Sequence, residues 1–384
     1  MDKSKRDQVL AFRLASHNLS RRLELGSLTE AAAACGIQET PLGSASVAML
    51  TRVEGLSPDA LEQAMARERS LVTLWSIRGA PFVVPAGDLG VFTVGALPLD
   101  AASFRQSLGG WLTALEEAGL DPFETLEQMV SAANALLDGR TMNVNDLRDA
   151  IYAQVPSLSM VERPAFARDD MPEPLFRAVG TAGAACIVAG RGTDAELARV
   201  DQWLASRPAT PDPAEARAEL ARRFLHCYGP ASAQHFADWT QRSLADAKNA
   251  FSLIQEELTQ VTFDRKTAWL LHRDEDALAS PPEPSGVRLL PVQDPYLQQR
   301  DRATLLDDTA SRRKLWQPVR GPGGVLSNGE IVGTWRARTA RKRLAVSVDA
   351  FGGLDSSLQE EIYAEAERIA PFRGCDAVDL QVTG

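Results

Sequence analysis

Between Glu215 and Leu271 the chain carries three stretches of helical apolar spacing and then switches to alternation, an order that few folds accommodate. Ala216, Leu220 and Phe224 recur every four residues, which places them on one stripe of a helix. Tyr228-Gly229-Pro230 ends that helix, because Pro230 cannot continue it and Gly229 tolerates a left-handed turn. A second short helix is expected through Ala233, Phe236 and Trp239. A third begins at Ser243, with Asp246 three positions on in a near capping-box arrangement, and continues through Leu244, Ala247, Phe251, Ile254 and Leu258. Two short β-type runs, Val261-Thr262-Phe263 and Ala268-Trp269-Leu270-Leu271, flank the expected hairpin turn Asp264-Arg265-Lys266-Thr267.

Helix, helix, helix, hairpin is the order of a winged helix. A similar order recurs upstream. Residues 121–192 offer helices through Phe123, Leu126, Met129 and Val130, from Asn143 through Leu147 and Ile151, and around Leu175–Val179. The run Cys186–Ala189 follows and ends at Gly190-Arg191-Gly192. Residues 1–95 offer a helix through Val9, Phe12 and Leu14, a short one at Thr29–Cys35, and one opening at Ser57-Pro58, an N-cap followed by a proline at the tolerated first position. Leu74–Ile77 and Phe82–Val84 then form a second hairpin candidate around Arg78-Gly79-Ala80-Pro81. Pro208, Pro211 and Pro213 mark one linker and Ala279–Gly286 another. Beyond them Val287–Val292, Gly324–Leu326, Glu330–Trp335, Arg343–Val348 and Ala377–Val382 have strand character, with a helix over Glu360–Ile369 and a tight turn at Asn328-Gly329. The expected fold is α+β: three tandem winged-helix modules (1–120, 121–207 and 214–278) followed by a C-terminal β-barrel-like domain (286–384).

At 384 residues the chain is long enough for several packed modules, and no apolar run reaches the ~18–20 residues needed to cross a bilayer. The charged start Met1–Asp7 lacks the apolar core of a signal peptide, so a cytoplasmic location is expected, with no membrane partner. Cys35, Cys186, Cys227 and Cys375 are scattered without a C-x-x-C pair, and His17, His226, His235 and His272 do not cluster with them in sequence; neither a metal site, a cofactor nor a disulfide framework is expected. The net charge of −10 argues against indiscriminate nucleic-acid binding, yet residues 300–343 hold eleven Arg or Lys against four acids. Such a basic region suits a directed phosphate-binding face, although a salt-bridged solvated surface has the same composition.

Five short motifs in fixed order carry a resemblance to the winged-helix DNA glycosylases of the AlkZ/YcaQ type. They are Gly36-Ile37-Gln38-Glu39-Thr40 with Ser44-Ala45 and Arg52; Trp75-Ser76-Ile77-Arg78-Gly79-Ala80; Arg223 with Tyr228-Gly229-Pro230, Phe236 and Trp239; Leu289-Leu290-Pro291 with Asp294, Tyr296-Leu297 and Asp301-Arg302; and Gly329–Trp335. The matches span nearly the whole chain, and each is weak alone. Thr40 stands where that family carries Gln or Asp, and Phe82 where many members have His.

The resemblance implies a monofunctional glycosylase that hydrolyses the N-glycosidic bond of bulky N7-alkylated purines in double-stranded DNA. Gln38 would position water and Thr40 assist, with Glu39 and Asp294 as accessory groups. Chemically this is economical: an N7-alkylated purine is already cationic and leaves without a general acid, so positioning and electrostatics suffice. A glutamine amide can both accept from and donate to a water. None of the six lysines sits in an apolar setting that would make it a lyase nucleophile. Expected DNA contacts are Arg52, Arg78, Arg302, Arg336, Arg338, Arg341, Lys342 and Arg343, the last five following a hairpin. A monomer is expected. Asp294 could pair with Arg302 or orient water, Trp75 and Trp239 are expected in the core, and Gln38 should lie exposed on the floor of a basic hollow if it is catalytic. A non-catalytic winged-helix DNA binder shares every feature except the groups missing at Thr40 and Phe82.

Overall fold

The computed structural model describes residues 3–162, 164, 172–190, 192–204 and 212–384; Arg191, Pro208 and Pro211 lie outside them. The fold is mixed α and β, and the chain divides into two compact units, each built from separated segments. One comprises residues 1–64, 223–235 and 256–384, the other 65–222 and 236–255.

In the first unit the helix Lys3–Ser16 buries Leu10 and Leu14 in one core with Leu290, Tyr296, Leu297, Leu305, Leu315 and Ile331. The N-terminal helix and the C-terminal β region therefore share a hydrophobic interior. Five strands lie in the order Ala377–Thr383, Arg343–Ala350, Glu330–Ala340, Gly323–Ser327, Val287–Leu290. Asn328-Gly329 forms the expected two-residue turn, both residues with positive φ (44° and 89°). The expected barrel is corrected to an open sheet: its first and last strands are edges, and the helix Ser356–Ile369 packs against both of them instead of letting them meet. Five strands joined in part by a parallel crossover leave room for that helix, which covers the apolar face that closure would otherwise bury.

The second unit orders the strands Pro81–Pro85, Leu71–Trp75, Ala185–Ala189, Glu196–Arg199 and Thr141–Asn143 side by side. Its core gathers Trp75, Phe104, Trp111, Leu126, Leu147 and Phe176. The helix Pro174–Thr181 approaches Trp75 so closely that a Cβ on Gly180 would sit 2.6 Å from the indole. Trp75 and Trp239 are buried, as expected of core residues.

Local chemistry explains the element order. Ser243 Oγ accepts from the Asp246 N–H at 3.0 Å and opens the helix Leu244–Ser252. The helices Pro213–Tyr228 and Ala233–Thr240 precede it, and the hairpin Leu258–Phe263/Lys266–Leu271 follows, tightened to the two-residue turn Asp264-Arg265. Ala231, in the turn after Tyr228-Gly229-Pro230, pairs with Trp269 of that hairpin. The same addition occurs in residues 121–207, where Thr141–Asn143, between the helices Pro122–Leu136 and Val144–Gln154, pairs with Glu196–Arg199.

Candidate functional site

Gly36, at φ 72°, turns the chain out of the helix Leu28–Ala33 and into the two-residue strand Ile37–Gln38. Gln38 is 6% exposed, and its Oε1 accepts a hydrogen bond from Gln298 Nε2 at 3.1 Å. The expected open setting is thus corrected: the segment Asp294–Gln298 lies against this side chain and covers it. That segment is itself held down. Asp294 caps its own turn by accepting from the Tyr296 N–H at 2.9 Å, and its carboxylate receives both ends of the Arg52 guanidinium at 2.8 and 2.9 Å. Gln298 Nε2 also donates to the Gln293 carbonyl at 2.9 Å. Arg52–Asp294 and Gln298–Gln38 are therefore two buried polar pairs, carried by the one segment Asp294–Gln298. Of these four residues, Arg52, Asp294 and Gln38 were expected at the site from the sequence, and Gln298 was not.

The Arg52–Asp294 pair corrects two expectations. Arg52 is 1% exposed and spends its remaining donor capacity on the Ala48 carbonyl (2.9 Å) and Thr51 Oγ1 (3.2 Å), so it is unavailable to a phosphate. Burial works against its charge, but Asp294 outweighs that and raises its pKa. Asp294 pairs with Arg52, not Arg302. Glu39 caps the helix Ser44–Arg52, its two oxygens accepting from the Gly43 and Ala45 N–H groups, each at 2.6 Å. Burial raises the pKa of this carboxyl despite those bonds. Thr40 is exposed. Because the strand stops at Gln38, the alternation that would put residues 38 and 40 on one face is not carried through.

A second locus in the same unit is an open cleft of about 700 Å³ between the hairpin Leu258–Leu271 and the helices Arg302–Leu305 and Thr309–Leu315. Lys266, Arg300, Arg302, Arg312 and Arg313 line it together with Trp316 and Phe263. Arg302 stacks over the Trp316 ring, 5.0 Å from its centroid, which orients the guanidinium. Burial and the neighbouring Arg300 lower the Arg302 pKa. Asp301, on the wall, is neutralised from behind by Arg13 at 2.9 Å, so it subtracts little from the positive field. Arg13 is fully buried; it also donates to the carbonyls of Gly229 (3.1 Å) and Pro230 (3.2 Å) and to Gln299 Oε1 (2.6 Å). The turn Tyr228-Gly229-Pro230 thus anchors the arginine that positions the cleft wall. Within Gln298–Arg302, Gln298, Gln299 and Asp301 bond inward, while Arg300 and Arg302 line the cleft.

Of the other expected phosphate contacts, Arg336 donates to the Arg320 carbonyl (2.6 Å) and Gln317 Oε1 (2.8 Å). Arg343 pairs with Asp379, Nε to Oδ2 at 2.7 Å, and Lys342 lies 3.9 Å from Asp376. Among the described residues Arg338 and Arg341 make no side-chain hydrogen bond or ion pair, and all five are exposed. Arg341 and Lys342 form the tip of their hairpin, both with positive φ (49° and 59°). Arg78, in the second unit, is half-buried and donates to the Trp239 carbonyl, a structural bond inside the fold.

The cysteines also depart from expectation. His17, Cys35 and Cys227 are buried together, with one ligand atom from each lying within 4.8 Å of the others. The Cys227 thiol, hydrogen-bonded to Cys35, holds the Cys35 pKa well below the ordinary thiol range, while burial pushes Cys227 up. Separations of 18 and 192 residues hide such a cluster from any spacing rule.

A family model described as DNA glycosylase AlkZ-like matches residues 31–372. Among curated proteins, an interstrand DNA cross-link repair glycosylase of Streptomyces sahachiroi is 24% identical over 341 residues, covering 85% of this chain and 86% of that protein. The solved structure of the Streptomyces sahachiroi DNA glycosylase AlkZ matches with a TM-score of 0.76 at 21% identity, over 98% of this chain and 99% of that one; at that identity the likeness speaks to the fold.

Proposed function

Because this chain belongs to the AlkZ-like DNA glycosylase family, we propose that it hydrolyses the N-glycosidic bond of bulky N7-alkylated purines in duplex DNA, including purines held in interstrand crosslinks. The observation that carries this reading is the hydrogen bond that Gln298 gives the Gln38 amide, from a segment that Arg52 holds through Asp294. The Gln38 amide, held by Gln298, would accept a proton of the attacking water. The water oxygen bonds to C1′ as the C1′–N9 bond breaks; the purine takes that electron pair, which cancels its positive charge, and the surplus proton passes to solvent. Thr40, exposed two residues on, contributes a hydroxyl where a second amide or carboxylate would be stronger, so a modest rate is expected.

Duplex binding is assigned to Lys266, Arg302 and Arg313 of the cleft and to Arg338, Arg341 and Lys342 of the exposed hairpin end. The winged-helix reading of 121–207 and 214–278 is supported by backbone pairing after the first helix of each: the strand Thr141–Asn143 on Glu196–Arg199, and the single bridge Ala231–Trp269. The test is incubation with a duplex bearing a single N7-alkylguanine, scored for abasic sites by alkaline strand cleavage. Base release is the expected result; none across a panel of bulky adducts would reject the enzymatic reading. A second reading, a non-catalytic duplex binder, is favoured by the 6% exposure of Gln38 and by Thr40. It predicts salt-dependent binding without base release.

A further inference from the structure

We propose that His17, Cys35 and Cys227 form a structural zinc site, a site separate from the glycosylase reading and independent of it. The three side chains come from the turn after the helix Lys3–Ser16, from the end of the segment after Leu28–Ala33, and from the last turn of Pro213–Tyr228. Two thiolates and one imidazole are the donor set that a borderline-soft d¹⁰ ion selects, and carboxylates, which would favour harder ions, are absent from the cluster. Zn–S and Zn–N bonds of about 2.3 and 2.0 Å put ligand atoms roughly 3.3–3.8 Å apart. Here Cys35 Sγ lies 3.9 Å from His17 Nε2, and all three ligand atoms fall within 4.8 Å. Closing on an ion needs only side-chain adjustment.

The imidazole is oriented for ligation. His17 Nδ1 lies 2.8 Å from the Arg13 carbonyl, which can only accept, so Nδ1 carries the proton and the Nε2 lone pair faces Cys35. A ring N–H given to a backbone carbonyl behind the ligating nitrogen is the usual support of a metal-bound histidine. Tyr228 lies 3.6 Å from Cys35 Sγ but gives its proton to the Pro295 carbonyl at 2.9 Å and so stays a neutral phenol; the three protein ligands leave the fourth position to a water. The charges also close: two thiolates balance one divalent ion, so a fully buried cluster carries no net charge, and loading releases the thiol protons. The consequence reaches the candidate site, because Cys35 is three residues from Gln38 and an ion here would clamp the strand that carries it.

The test uses the full chain, expressed with zinc in the medium, desalted, and measured by elemental analysis and by cobalt substitution. About one zinc per chain is expected, together with a thiolate-to-cobalt charge-transfer band of the intensity two sulfurs give. Cys35→Ser and Cys227→Ser should lose the metal, His17→Gln should weaken it, and Cys186→Ser, a buried thiol elsewhere, should keep it in full. Wild type decides the matter even where a variant fails to fold. Folded wild-type protein with no zinc and no cobalt band overturns the proposal, as does metal retained in both cysteine variants. Fewer than four free thiols in denaturant with chelator, the mark of a Cys35–Cys227 disulfide, overturns it too.

Discussion

Arg52 and Arg341 share one side chain and opposite fates, and the contrast between the interior they help build and the surface they face organises the first unit. All three guanidinium nitrogens of Arg13 and both terminal nitrogens of Arg52 are answered by a carboxylate, a carbonyl or an amide, and the charges are locked in place. Along 336–343 and around the cleft, Arg338, Arg341, Lys266 and Arg313 are exposed and, among the described residues, make no side-chain hydrogen bond or ion pair. Charge in the sequence is common to both regions; what differs is whether the chain brings an acceptor to it. Only the second kind of cation is free to release counterions from DNA.

The largest effect expected from that difference is on folding. Asp294→Ala strands the Arg52 charge in a dry interior and should cost about 3–5 kcal/mol, read from urea unfolding, whereas an apolar pair of similar volume at both positions should recover most of the loss. Arg341→Ala should leave the urea midpoint unchanged. Equal effects from the two would dissolve the contrast.

Next in size, Gln298→Ala should slow base release by about 10²-fold by freeing the Gln38 amide, while duplex affinity holds. If affinity falls and the rate constant does not, Gln298 belongs to the binding surface.

Acid should expose the interior pair at the cleft wall. Burial opposes the Asp301 charge, but Arg13 prevails and holds its pKa below the ordinary range. A depressed carboxylate contributes stability that is complete above the unfolded-state pKa of about 3.9 and is lost as pH falls towards the folded value. Stability measured from pH 6 downwards should therefore decline more steeply in wild type than in Asp301→Asn. Parallel curves would mean that the pair is not formed in solution.

The smallest effects belong to the surface. Lys266→Ala, Arg313→Ala and Arg338→Ala should each reduce the salt slope of duplex binding by roughly one, with equal loss on damaged and undamaged DNA. An unchanged slope would remove that residue from the interface.

Sequence reading recovers what is encoded locally. The Ser243 cap, the stop at Gly229-Pro230 and the Asn328-Gly329 turn each act through neighbours within a few residues, so the helices and hairpins were legible. The open edges of the five-stranded sheet were not, since they depend on where the helix Ser356–Ile369 packs. Basic density in 300–343 pointed to the cleft wall, but Lys266 lies on a distant hairpin, and Arg13 sits among Val9, Leu10, Phe12 and Leu14 with no local sign of its acceptors. Gln38 was found by motif. Its cover, Gln298, is 260 positions away and announced by nothing nearby.

The central claim is that the Gln38 amide holds the water that cleaves the glycosidic bond. Single-turnover base release from a duplex containing one N7-alkylguanine, at saturating protein, compares wild type with Gln38→Ala directly. A rate lower by about 10²–10³-fold with unchanged duplex affinity is expected. Matching rates would contradict it.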